Sequence, residues 1–242
     1  MDSSAQSRAE AVLAGNPWFA RQPAAFQDAL LQRGRISRLA RGEWIFAEGD
    51  EATGLCAVID GALRLEVAVD DSRTVLINIL SMGAVVGQSS RLGGGPRLVT
   101  ARAARPTDVF RVSDRGLQEI CERSDGAWRS IAELVYEQLA STIRMAAAAT
   151  AFSPRQRILA RLAMLAANHP GPAEQPLVLD VAQADLAEMT GLSRKSVNRH
   201  LVELEASGLL RLGYGRVTVS PRLADGDGVS WSSVEARLTQ AP

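Results

Sequence analysis

The sequence predicts an α+β protein: a β-rich sandwich or barrel, then a long helix, then a helix-turn-helix closed by a hairpin wing. Three observations predict this. From about Trp18 to Arg111, short apolar or alternating runs are separated by glycines at regular intervals. From Asp125 onward apolar side chains recur at helical spacing instead. Between Gln183 and Ala206 two short helical patterns flank Thr190-Gly191-Leu192.

In the β-rich part the runs are Trp44-Ile45-Phe46, Leu55–Ile59, Leu63–Val69, Val75–Leu80, Ala84-Val85-Val86, Leu98–Ala101 and Val109–Val112. Gly42, Gly49, Gly54, Gly61, Gly83, Gly87 and Gly93-Gly94-Gly95 fall between them, where tight turns are needed. Ser113-Asp114 suits the start of a short helix. This first part is taken to span residues 1–124.

The second part, 125–152, carries Trp128, Ile131, Val135, Gln138, Thr142, Met145, Ala149 and Phe152 at spacings of 3,4,3,4,3,4,3. Such a seam favours a helix that pairs with a second helix. The alternative is a helix packed on its own β domain, with Leu134 and Leu139 beside the seam. Ser153-Pro154 ends it, and Pro154 opens the next helix, Arg155–Asn168. Leu177-Val178-Leu179 reads as a short strand within the third part, 153–242.

There Gln183–Met189 forms the first helix of the motif, and Ser193 caps a second that reaches Ala206. Val197, Leu201 and Leu204 make its apolar stripe, which turns Arg194, Lys195, Asn198 and Arg199 outward in its N-terminal half. That half enters the major groove in DNA-binding versions of the motif, where Arg reads guanine and Asn reads adenine. Ser193 and Ser196 lie at the helix N-terminus, which attracts phosphate. Gly213-Tyr214-Gly215 joins Arg211-Leu212 to Arg216–Val219 as a wing, so Tyr214 and Arg216 are set to reach the DNA backbone or minor groove. From Ser153 to Arg222 nine Arg or Lys stand against six Asp or Glu, a local basic excess in a chain whose formal net charge is zero.

Composition excludes several other classes. Only His169 and His200 are present, and Cys56 and Cys121 stand far apart, so neither a metal cluster nor a His-based catalytic site is signalled, and the thiols are expected to be buried and reduced. Residues 18–112 hold no His and no tight carboxylate cluster, which argues against an enzyme. The polar start and the lack of an 18-residue apolar run predict a cytoplasmic protein with no membrane partner. The basic residues are one lysine, Lys195, and otherwise arginines, so a single Arg carries little information.

Leu192-Ser193-Arg194-Lys195-Ser196-Val197-Asn198-Arg199-His200-Leu201, with Leu204 and Gly208-Leu209-Leu210, resembles the Crp/Fnr family of bacterial regulators over about residues 18–222. Gly83, Gly87 and Gly94-Gly95-Pro96-Arg97 are similar to that family's phosphate-binding cassette. The resemblance implies an N-terminal β-roll sensor, a jelly roll of the cyclic-nucleotide-binding kind. It also implies a dimerisation helix and a winged helix-turn-helix that binds a palindromic double-stranded operator and contacts RNA polymerase. Arg194 and Arg199 match positions that contact guanines and phosphates, whereas Lys195 stands where many members carry a Glu and cannot accept a hydrogen bond.

For the effector the resemblance implies Gly87, Gln88, Arg91, Pro96, Arg97, Leu98 and Thr142. Arg97 matches the arginine that pairs with the cyclic phosphate. Gln88 replaces the Glu that binds the ribose hydroxyl, Leu98 replaces a Ser or Thr, and Ile143 stands where a second hydroxyl follows Thr142. Each lost partner is worth roughly 1–3 kcal/mol if the group it served stays buried, which argues against tight cAMP binding. Arg91 and Arg97 favour a small anion, a cyclic nucleotide or another, and the alternative is a sensor in which Arg97 pairs with Asp or Glu. No N-terminal cysteine cluster or sensor-domain histidine is present for iron–sulfur or haem chemistry. A ligand-binding module acting on a protein partner is the competing function, but it leaves Leu177–Val219 without a purpose.

Overall fold

A computed structural model describes residues 3–51, 54–87, 95–167 and 175–220. Three helices that the glycine punctuation does not announce come first: α1 (Ser3–Ala14), α2 (Pro17–Ala20) and α3 (Ala24–Arg33). Asn16 caps α2 by accepting the Phe19 N–H at 2.9 Å, and its Nδ2 donates to Gly83 O at 2.9 Å. One buried amide thus starts a helix and ties it to the β domain.

The strands are β1 (Arg35–Leu39), β2 (Trp44–Phe46), β3 (Leu55–Asp60), β4 (Ala62–Asp70), β5 (Arg73–Ser81), β6 (Val85–Val86), β7 (Thr100–Ala103) and β8 (Thr107–Val112). They form two antiparallel four-stranded sheets, ordered β1-β8-β3-β6 and β2-β7-β4-β5. Cys56 and Val58 of β3 enter the core between the sheets with Phe46, Leu63, Ala101 and Val109. Alternate residues Leu55, Ala57 and Ile59 enter a second core with Trp18, Phe26, Leu30 and Ile120 from the helices. Burial on both faces is why Leu55–Ile59 is continuously apolar rather than alternating. The strand expected at Leu98–Ala101 begins later, at Thr100, and β1 is not among the runs marked in the sequence.

Ser113 Oγ accepts the Gly116 N–H at 3.1 Å and starts α4 (Asp114–Arg123). The long helix α5 (Ala127–Ala151) follows, close to its expected bounds. The expected seam along α5 is not one exposed face. Ile131 is 0% exposed and packs with Leu134 into the chain's own helical core. Gln138 Nε2 donates to Val85 O at 2.9 Å. Trp128, Thr142 and Ala149 are exposed, while Val135 and Met145 are half-buried. The large apolar side chains left outside are Trp128, Tyr136, Leu139 and Ile143, a stripe rotated from the one the spacing suggests.

Within α5, after Ser141, the chain divides into two compact units. The second contains α6 (Pro154–Ala167), β9 (Leu177–Leu179), α7 (Gln183–Thr190), α8 (Arg194–Ala206), β10 (Leu210–Gly213) and β11 (Arg216–Val219), with β10-β11-β9 as an antiparallel sheet. Ile158, Leu162, Leu186, Val197, Leu201, Leu204 and Val217 are among its buried residues. Among the described residues no helix is long and apolar enough to cross a membrane.

Candidate nucleic-acid interface and effector site

The turn between α7 and α8 is built by two local devices. Gly191 adopts φ +66°, the left-handed conformation that ends α7, with its N–H on Ala187 O and Glu188 O. No atom lies within 4 Å of where a Cβ would stand, so glycine is used there for its backbone rather than for close helix crossing. Ser193 then accepts the Ser196 N–H at 3.1 Å and starts α8.

Val197, Leu201 and Leu204 are each 0% exposed, and this inward stripe fixes the rotation of α8. Ser193, Arg194, Lys195, Asn198 and Arg199 are exposed and Ser196 is half-buried, as the spacing predicts. Among the described residues, Arg194, Lys195 and Asn198 make no side-chain hydrogen bond or ion pair. Arg199 Nη2 lies 3.4 Å from His200 Nε2, and His200 Nδ1 lies 2.9 Å from Glu203 Oε2. At the wing tip Tyr214 is fully exposed and Arg216 stands open beside it. Sequence reasoning did not single out Glu205, whose Oε1 accepts the Leu212 N–H at 2.7 Å and ties α8 to the wing. A glutamate seven residues before Leu212, inside the wing strand, was the available signal.

Arg161, counted in the basic excess, does not belong to this surface. It is 8% exposed inside the unit.

In the β domain Arg97 points inward and is 3% exposed. Its Nη1 donates to Gly87 O, its Nη2 donates to Gly54 O at 3.0 Å, and its guanidinium lies 4.4 Å from the Phe46 ring centroid. Burial lowers its pKa, and the nearby ionisable groups of Cys56, Asp114 and Asp50 act in the opposite direction. Gly87, at φ +107°, lets the chain pass Gly54 O, which would stand 2.6 Å from a Cβ. Pro96 belongs to the segment leading into Arg97, and Leu98 is 72% exposed. Gln88 and Arg91 lie outside the described residues. Neither Phe46 nor Gly54 was singled out from sequence, because nothing local marks them as partners of a side chain some 40 to 50 residues later.

Both cysteines are buried and neither is in a disulfide. Among the described residues no group of three His, Cys, Asp or Glu is placed to hold a metal ion.

Residues 36–124 match the family described as cyclic nucleotide-binding domain, and residues 156–224 match the Crp-like helix-turn-helix domain. The two occur in this order in one chain and together span more than half of it. The chain belongs to the Crp/Fnr family. Crp/Fnr relatives include the CRP-like cAMP-activated global transcriptional regulator of Mycobacterium tuberculosis, 28% identical over 195 residues, covering 74% of this chain and 81% of that protein. The cyclic AMP receptor protein of Thermus thermophilus is 26% identical over 179 residues, with the same coverage of 74% and 81%. Among solved structures, that of the c-di-GMP-responsive global regulator CLP of Xanthomonas campestris is 25% identical with a TM-score of 0.60, covering 82% of this chain and 99% of that one. This chain is accordingly a Crp-like transcription regulator with a cyclic nucleotide-binding domain and a DNA-binding helix-turn-helix.

Proposed function

We propose that the protein is a cytoplasmic homodimer that binds a palindromic DNA operator under the control of a small anionic effector at the β-roll. The carrying observation is the outward N-terminal half of α8, where Arg194, Lys195 and Asn198 have no side-chain partner among the described residues. Ser193 and Ser196 serve the adjoining phosphates, Arg199 extends the contact, and Tyr214 and Arg216 add a wing contact. A dimer presents two such helices about 34 Å apart, one turn of DNA. Trp128, Tyr136, Leu139 and Ile143 are the apolar side chains of α5 that a second copy would cover. RNA polymerase is the further partner expected of a regulator of this kind.

For the effector, Arg97 is the receiving cation, with Gly87, Pro96 and Leu98 beside it and Gln88 and Arg91 completing the segment. Arg97 hydrogen-bonds to Gly54 and Gly87, so an effector must outcompete two carbonyls, which a charged phosphate does and a neutral molecule does not. The names of two relatives carry cAMP and c-di-GMP, both phosphodiester anions. The same chemistry is assigned here without choosing between them or another anion.

The test begins by selecting bound duplexes from a randomised pool and measuring affinity for the winner. The selected site is expected to be palindromic, and Arg194→Ala and Arg199→Ala are each expected to weaken binding by about 10- to 100-fold, corresponding to roughly 1–3 kcal/mol. Unchanged affinity in both variants would overturn the assignment of α8.

A further inference from the structure

Helix α6 places an arginine where its neighbours predict a core side chain. Ile158, Leu162 and Leu165 are buried, and Arg161, three residues after Ile158 and four before Leu165, shares their face. Its guanidinium offers five donors but meets poor acceptors. Nη2 donates to Met189 O at 3.1 Å, and Nη1 faces the thioether sulfur of Met145. Among the described residues no carboxylate pairs with it. Burial alone pushes its pKa down to about 10.

This guanidinium opens on a cavity of about 220 Å³ lined by Met145, Ala148, Ala160, Met164, Met189 and Thr190. The Thr190 hydroxyl is already spent on Leu186 O at 2.5 Å. Arg157, at the same cavity, donates its Nε to Phe152 O at 3.0 Å. The lining is therefore apolar and adaptable, with cationic donors at one place.

We propose that this cavity is a second ligand site, separate from the β-roll, and that it takes a small amphipathic monocarboxylate. The carboxylate pairs with Arg161, and the apolar body lies among the three methionines. One planar guanidinium matches one carboxylate in two parallel hydrogen bonds, whereas a phosphate would leave further oxygens against methyl groups. The cavity is smaller than those that hold drug-sized ligands, which restricts the body to a short chain or a single ring. Gly191 of the turn before the recognition helix also borders it. An occupant therefore touches the element that positions α8.

The chain has five methionines, of which three line the cavity, so methyl-13C-methionine labelling of the full-length protein reads the site directly. Sodium hexanoate is expected to shift the Met145, Met164 and Met189 methyl signals in a saturable way and to leave Met82 in place. Hexan-1-ol, of the same length but uncharged, is expected to bind at least tenfold more weakly, and Arg161→Leu to lose the hexanoate response while keeping a cooperative melt. No methyl shift with hexanoate, a shift of Met82 alone, or equal affinities for hexanoate and hexanol would each overturn the proposal. The two-ligand comparison is made on the unaltered protein, so it decides the matter even if Arg161→Leu does not fold. None of these readouts depends on DNA binding.

Discussion

Glu205, near the end of the recognition helix, accepts the backbone N–H of Leu212 at 2.7 Å across seven residues. Strand β10 is at the edge of its sheet, paired only with β11, so its outer amides have no strand to bond to. The carboxylate satisfies one of them and ties the wing to the second helix of the helix-turn-helix. Glu205→Ala is therefore expected to speed hydrogen exchange of the Leu212 amide by roughly tenfold, a loss of about 1 kcal/mol, while Glu205→Gln retains most of the protection. Equal exchange in all three proteins would show that the contact does not hold the wing.

On α5, two positions eight residues apart separate folding from association. Ile131 is 0% exposed within its own core, and Leu139 is 54% exposed. Ile131→Ala is expected to cost about 2–5 kcal/mol in chemical unfolding because it opens a cavity. Leu139→Asp is expected to leave the fold intact and to shift sedimentation from dimer to monomer, since it places a charge in the exposed apolar stripe. A Leu139→Asp protein that remains dimeric would move the association surface elsewhere.

Acid sensitivity is expected at Glu66. Its carboxyl is 7% exposed on β4, where it accepts from Arg64 Nε at 3.0 Å and from Arg102 Nη2 on β7. Burial raises its pKa, but the hydrogen bonds and charges of the two arginines outweigh this and hold it below the usual carboxylate range. A carboxyl so depressed contributes its full stabilisation above the ordinary glutamate value of about 4.3 and loses it as pH falls below that. Glu66→Gln should thus lower Tm at pH 7, and its gap from the unaltered protein should close on acidification below about pH 4. A gap independent of pH would contradict the ion-pair account.

The geometry of the helix-turn-helix was legible residue by residue. Ser193 caps α8, Gly191 supplies the φ of +66°, and Val197, Leu201 and Leu204 turn the basic half outward. Most of the strands were legible too, because glycines mark their turns. The three N-terminal helices were not. In α1 and α3 the buried anchors are few, Ala9 with Leu13 and Phe26 with Leu30, and two residues four apart do not establish a period.

Caps, turns and the helical period act within a few residues of chain, so most of the strands, the long helix, the winged helix-turn-helix and its outward basic residues follow from sequence alone. Which face of α5 is buried, where Arg97 points and whether Arg161 meets water depend on partners distant in the chain. Ile131 is covered by the helical core, Arg97 finds Gly54 O and the Phe46 ring, and Arg161 is enclosed between Met145 and Met189. Those neighbours are set by packing between elements, and a seam of apolar residues in sequence carries no record of which helix or sheet will cover it.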